Sequence, residues 1–76
     1  MIKIYGNKSC PYCKMALALA ELKKMKYEYY TLNVDYSKAE LLELVPDAKT
    51  IPQIFVDETY VGGYTEFEKY VNEIGE

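Results

Sequence analysis

The run Cys10-Pro11-Tyr12-Cys13 restricts the fold more than any other stretch, because it holds both cysteines and marks where a short alternating segment gives way to a helical one. Pro11 has no N–H to leave unpaired and a φ already set for a first helical position, so a helix is expected to begin there. A spacing of three puts the two sulfurs on one face of its first turn. The unpaired N–H groups and positive dipole end of a helix N-terminus favour a thiolate at Cys10 over the thiol. A reactive dithiol is therefore one reading, and two others compete with it. A structural zinc site takes four N or S ligands, whereas the chain has two cysteines and no histidine, so a second copy would have to supply the rest. A structural disulfide is the other, although so short a ring constrains little of the unfolded chain.

The segments around the motif alternate in type. Ile2 and Ile4, followed by Gly6-Asn7, predict a short strand ending in a turn that leads to Cys10. From Pro11 to about Lys26 the composition is helical. Met15, Leu19 and Leu22 mark one apolar line and Ala16 and Ala20 another, with lysines toward the end as the macrodipole favours. Tyr27 to Val34 alternates as a second strand, with Tyr30, Leu32 and Val34 on one side. A strand, a helix and a strand in succession imply a right-handed parallel crossover. Ser37 and Glu40 form an S-x-x-E capping box for a second helix that stops at Pro46. After Asp47-Ala48-Lys49, Pro52 to Val56 and Tyr60-Val61 read as a hairpin around Asp57-Glu58-Thr59. Gly62-Gly63 ends it. Thr65 and Glu68 match another capping box, opening a third helix with Phe67, Tyr70, Val71 and Ile74 on its apolar face. The order is βαβαββα, an α/β chain with Cys10 at the carboxyl end of its first strand, where such sheets place their sites.

At 76 residues the chain is expected to form a single domain, residues 1–76, near the lower limit for one core. Half of it is hydrophobic, with nine tyrosines, so a core can form without the cysteines as staples. Met1-Ile2-Lys3-Ile4-Tyr5 alternates like a strand and does not resemble an export segment, and no stretch is long and apolar enough to span a membrane. A cytoplasmic location is the expectation for such a chain with one reactive C-x-x-C. The net charge of −3 conceals an asymmetry: residues 1–38 carry +4 and residues 39–76 carry −7. Lys8 and Lys14 flank the cysteines and would steer an anionic partner toward them. Lys23, Lys24 and Lys26 read as the solvated side of a helix. Nucleic acid is not an expected partner, since the chain is acidic and has no arginine and no basic run with interleaved aromatics.

Two further motifs stand downstream. In Thr50-Ile51-Pro52 the proline opens a strand where it avoids the hydrogen-bond ladder. A cis Ile51–Pro52 bond, at about 0.5 to 1 kcal/mol for X–Pro, would turn the Ile51 backbone toward the cysteines, free to pair with an extended thiol peptide. In Gly62-Gly63-Tyr64-Thr65 the glycines permit close backbone approach, and free N–H groups of Thr65 and Glu66 would form a carboxylate site. A plain turn with Thr65 as N-cap is the alternative, and the two are compatible.

Cys10-Pro11-Tyr12-Cys13, Thr50-Ile51-Pro52-Gln53-Ile54-Phe55 and Gly62-Gly63-Tyr64, in this order and spacing, resemble the dithiol glutaredoxins over nearly the whole chain. The resemblance implies a thioredoxin-like fold, a four-stranded mixed sheet flanked by three helices, with a glutathione site between the three motifs. It makes Cys10 the nucleophile and Cys13 the resolving thiol, joined in a redox-active disulfide when oxidised. Ile51 would pair through its backbone with the cysteinyl part of glutathione, flanked by Thr50 and Pro52, while Tyr12, Gly63 and Tyr64 line the groove. Thr65 and Glu66 would hold the γ-glutamyl carboxylate, and Lys8, Lys49 and Gln53 would face the glycyl carboxylate. The basic residue usual in the family three places before the first cysteine is Asn7 here, with Lys8 one place closer.

The implied activity is glutathione-dependent thiol-disulfide exchange on protein-glutathione mixed disulfides and protein disulfides, by a monomer with no permanent cofactor and no metal. Ribonucleotide reductase is a family-typical client. A redoxin reduced by thioredoxin reductase is the nearest alternative. A module sharing an iron-sulfur cluster between two copies, with glutathione as co-ligand, is a further one, which Pro11 disfavours because cluster-binding relatives usually lack it.

Overall fold

The computed structural model describes residues 1–74, the last of these through its backbone alone. The elements are β1 (Ile2–Gly6), α1 (Pro11–Leu22), β2 (Tyr27–Thr31), α2 (Lys38–Leu44), β3 (Gln53–Val56), β4 (Thr59–Gly62) and α3 (Tyr64–Ile74). β1 pairs parallel with β2 and antiparallel with β3, and β4 runs antiparallel on β3. The result is the expected four-stranded mixed sheet, in the order β2-β1-β3-β4.

Alternation in β1 decides which side becomes the core. Ile2, Ile4 and Gly6 are buried while Lys3 and Tyr5 point the other way. On the buried side Ile2, Ile4 and Ile54 meet Ala16 and Ala20 of α1 and Phe67 and Val71 of α3. Each fully buried large side chain there contributes about 1.5 to 3 kcal/mol by leaving water. The opposite face is aromatic: Tyr5 packs on Tyr30, Tyr36 and Phe55 at ring separations of 4.9, 5.1 and 5.8 Å. Among the described residues no helix is long and apolar enough to cross a membrane.

Several boundaries differ from those the sequence predicts. The first helix stops at Leu22, because Lys24 takes a left-handed φ of 57° and closes it. The Lys24 N–H bonds to Glu21 O and the Met25 N–H to Ala20 O, which is a Schellman termination. Lys23, Lys24 and Lys26 therefore lie beyond the helix. Its buried stripe is the expected Ala16 and Ala20 line, extended back to Cys13, while of the other line Leu19 is partly buried and Met15 and Leu22 are 44% and 75% exposed. The second strand ends at Thr31, where the Asp35 carboxylate accepts the Thr31 N–H and Asn33 turns left-handed, leaving Val34 exposed. Thr59 belongs to β4 and pairs with Val56, so the hairpin turn is Asp57-Glu58 alone, both left-handed.

The two capping boxes fare differently. At α2 the Ser37 hydroxyl accepts the Glu40 N–H and the Glu40 carboxylate accepts the Ser37 N–H, as predicted. At α3 the Thr65–Glu68 pairing is not the one formed. Gly62 adopts φ 132°, the helix starts at Tyr64, and Glu66 reaches back to the Gly63 N–H at 2.9 Å. Of the predicted apolar face, Phe67 and Val71 are buried and Tyr70 is half-buried, while the side chain of Ile74 and residues 75 and 76 lie outside the described residues.

Candidate active site

Cys10 closes the loop after β1 and is the N-cap of α1, with extended φ and ψ of −82° and 118° and Pro11 following at the first helical position. An N-cap side chain accepts the N–H two or three residues ahead. Here the acceptor is sulfur: the Cys13 N–H points at Cys10 Sγ across 3.2 Å. On its other side Cys10 Sγ donates to the Ile51 carbonyl at 3.7 Å. Both cysteines are free, Cys10 half-exposed and Cys13 without solvent contact. Burial, and then its hydrogen bond with Cys10, pushes the Cys13 thiol up to about 12. Of the two sulfur-bearing residues Cys10 is thus the one open to solution, and Cys13 lies behind it.

Beneath the pair lies a support that the sequence reading missed. Tyr29 donates its hydroxyl to the Asn7 carbonyl at 2.8 Å, and Tyr36 donates to the Gly6 carbonyl at 2.9 Å, so two phenols hold the end of β1 and the loop carrying Cys10. Burial raises both hydroxyls to about 12. Gly6 makes the space. A Cβ on it would stand 2.5 Å from Tyr29 Oη and 2.8 Å from Cys13 Sγ.

The other two motifs come to the same place. The Ile51–Pro52 bond is cis, as the sequence reading allowed. A groove of about 330 Å³ beside Cys10 is lined by Tyr12, by Thr50, Ile51 and Pro52, and by the stretch Gly63 to Glu66. The rings of Tyr12 and Tyr64 stand 6.1 Å apart along it. The first N–H groups of α3 face no acceptor in its own ladder, although the Glu66 carboxylate is already engaged by Gly63. Eight of the predicted binding residues thus meet in one groove.

Three others do not line it. Lys8 is exposed in the loop before Cys10. Lys49 borders a separate hollow of about 580 Å³ together with Lys38, Leu41 and Leu42, and Thr50 and Ile51 line both this hollow and the groove. Gln53 is only 5% exposed; its amide donates to the Thr50 carbonyl at 2.6 Å and accepts from the Tyr60 hydroxyl at 2.5 Å. Gln53 therefore fixes Thr50 from behind. Among the described residues no three His, Cys, Asp or Glu side chains converge as a metal site.

The glutaredoxin family model matches residues 2–61. A glutaredoxin of Vibrio cholerae is 38% identical over 79 residues, covering 95% of this chain and 91% of that one. Glutaredoxin 1 of Escherichia coli K12 is 36% identical over 77 residues, covering 92% and 91%. The structure of reduced Escherichia coli glutaredoxin matches with a TM-score of 0.82 at 35% identity, over 96% of this chain and 94% of that one. A buckwheat glutaredoxin-glutathione complex shares the fold at 21% identity, with a TM-score of 0.79 over 95% and 69%. Fold, paired cysteines and relatives agree: the chain belongs to the glutaredoxin family of thiol-disulfide oxidoreductases.

Proposed function

We propose that the protein reduces protein-glutathione mixed disulfides and protein disulfides with glutathione as its reductant. The observation that supports this most is the accessible Cys10 sulfur, 3.7 Å from the Ile51 carbonyl, beside a groove built from all three motifs. Ile51 offers its backbone to the cysteinyl part of glutathione, and the N-terminal N–H groups of α3, at Thr65 and Glu66, take the γ-glutamyl carboxylate. Lys8 and Lys49 draw the glycyl carboxylate from outside the groove, and Gln53 contributes by holding Thr50.

In the one-thiol route the Cys10 thiolate attacks the glutathione sulfur of a mixed disulfide. The client thiol leaves, and a second glutathione attacks in turn, regenerating Cys10 and releasing glutathione disulfide. In the two-thiol route Cys10 attacks a client disulfide and Cys13 displaces the client from the resulting mixed disulfide, leaving Cys10 and Cys13 oxidised. Glutaredoxin potentials of about −200 to −230 mV lie near the glutathione couple, so exchange runs in either direction. Cytoplasmic disulfide proteins, ribonucleotide reductase among them, are the clients this reading proposes for a monomeric enzyme.

Cys10→Ser is expected to abolish turnover of a small glutathionylated disulfide while Cys13→Ser retains it, and the opposite outcome would reverse the two roles. Glutathione with glutathione reductase is expected to sustain wild-type turnover. Turnover sustained only by thioredoxin reductase would move the protein to the other reductant.

A further inference from the structure

We propose that Tyr29 is a positioning residue for the resolving step, turning its hydroxyl from the Asn7 carbonyl to the Cys13 sulfur as that sulfur becomes a thiolate. The inference rests on the resolving role proposed above for Cys13. To attack Cys10, Cys13 must lose its proton in a site without solvent contact, where an unpaired charge is costly. Four groups face it or border it: Cys10 from its own helix, Asn7 from the preceding loop, Tyr29 from β2 and Tyr36 from the turn after β2. In the mixed disulfide the Cys10 sulfur is neutral and has no hydrogen to give. The Asn7 main-chain N–H already faces Cys13 and favours its charge, as a donor fixed by the loop, and Tyr36 is bonded to the Gly6 carbonyl as Tyr29 is to that of Asn7. Tyr29 Oη and Cys13 Sγ, by contrast, both lie within 3 Å of the empty Cβ position of Gly6, at 2.5 and 2.8 Å. Rotation about the phenol C–O bond redirects its hydrogen, and a charged acceptor wins because such hydrogen bonds are roughly twice as strong as neutral ones. Burial keeps the Tyr29 hydroxyl protonated up to about 12, so it remains a donor throughout the working range.

The step balances as follows. Cys13 gives up its proton to water, and its sulfur attacks the Cys10 sulfur of the mixed disulfide. The Cys10–S to R–S bond breaks with its electron pair on R–S⁻, which takes up a proton to leave as R–SH. Cys10 and Cys13 end as a disulfide, and Tyr29, its own proton retained, returns to Asn7.

The test charges Cys10 with glutathione and follows release of glutathione in a single turnover across pH, by rapid quench, for wild type, Tyr29→Phe, Tyr36→Phe and Cys13→Ser. Tyr29→Phe is expected to slow release about tenfold, the lower end of what a hydrogen bond to a charged group is worth, and to displace the pH profile upward. Tyr36→Phe removes a phenol hydrogen bond from the same strand end and is expected to leave the profile in place. Wild-type release from Tyr29→Phe, or equal slowing by both variants with an unmoved profile, overturns the inference. Release from Cys13→Ser as fast as from wild type removes the resolving role itself, and the inference with it. Should Tyr29→Phe not fold, 3-fluorotyrosine at position 29 preserves shape and strengthens the donor; faster release supports the inference and an unchanged rate overturns it.

Discussion

Gly6 shows how much of the site is set by one absent methyl group. Its replacement by alanine would put a Cβ 2.5 Å from Tyr29 Oη, 2.8 Å from Cys13 Sγ and 3.0 Å from Cys13 Cβ, inside a region already filled. Gly6→Ala is expected to cost about 1 to 3 kcal/mol by overpacking, read from the urea midpoint of the reduced protein. An unchanged midpoint would mean that the Tyr29 ring gives way at no cost. Cys10, Pro11 and Cys13 are legible in the sequence because a helix start is a local event and their roles in it depend on spacing. Tyr29 is not. In the strand pattern it is one tyrosine among Tyr27, Tyr29 and Tyr30, and its contact with Asn7 and Cys13 joins three elements that only the folded sheet brings together. Gln53, which the resemblance turns toward the glycyl carboxylate, shows the same limit: its amide bonds to Thr50 and to Tyr60 across the hairpin, partners that only the folded strands bring to it.

Element types were readable and element ends were not, and the reason is specific. Among the described residues four that are not glycine, Lys24, Asn33, Asp57 and Glu58, carry positive φ at turns. A left-handed residue is announced in sequence mainly by glycine, and of these four only Asn33 and Asp57 are residue types that favour the conformation. Lys24 gave no signal, so the helix read as running on through the lysines. The same logic explains the third helix: Thr65 and Glu68 have capping-box spacing, but Gly62 lets the chain enter the helix at Tyr64, and Glu66 is then the residue in register with the Gly63 N–H. Relief of the left-handed penalty provides a test at this scale. Lys24→Gly and Glu58→Gly are each expected to stabilise by about 1 kcal/mol, after the extra freedom of glycine in the unfolded chain is set against the gain. In a domain of this size that raises the thermal midpoint by about 4 to 8 °C. A lower midpoint for Lys24→Gly would mean that the lysine side chain contributes more than its backbone strain costs.

For the whole molecule, the same cluster ties stability to pH. Cys13, Tyr29 and Tyr36 sit together at the end of β1, and burial, the first cause in each, raises all three to about 12. Unfolded, a thiol releases its proton near 8.5 and a phenol near 10, as rough reference values. Between those values and about 12 the unfolded chain binds fewer protons than the folded one, so stability falls as pH rises. This contribution is fully present below roughly pH 8.5 and is lost as pH climbs through the folded values. Urea midpoints of the reduced protein taken at successive pH values above neutrality are expected to decline from about pH 9 onward. Tyr36→Phe lowers the starting midpoint by removing the bond to Gly6, and it also flattens the decline, because one of the titrating groups is gone. Those two effects have opposite visibility: the first is largest near neutral pH and the second appears only in alkali. A wild-type midpoint that stays level to pH 11 would mean that the three groups titrate in the folded chain as they do in the unfolded one, and that the floor beneath Cys10 is wetter than its geometry indicates.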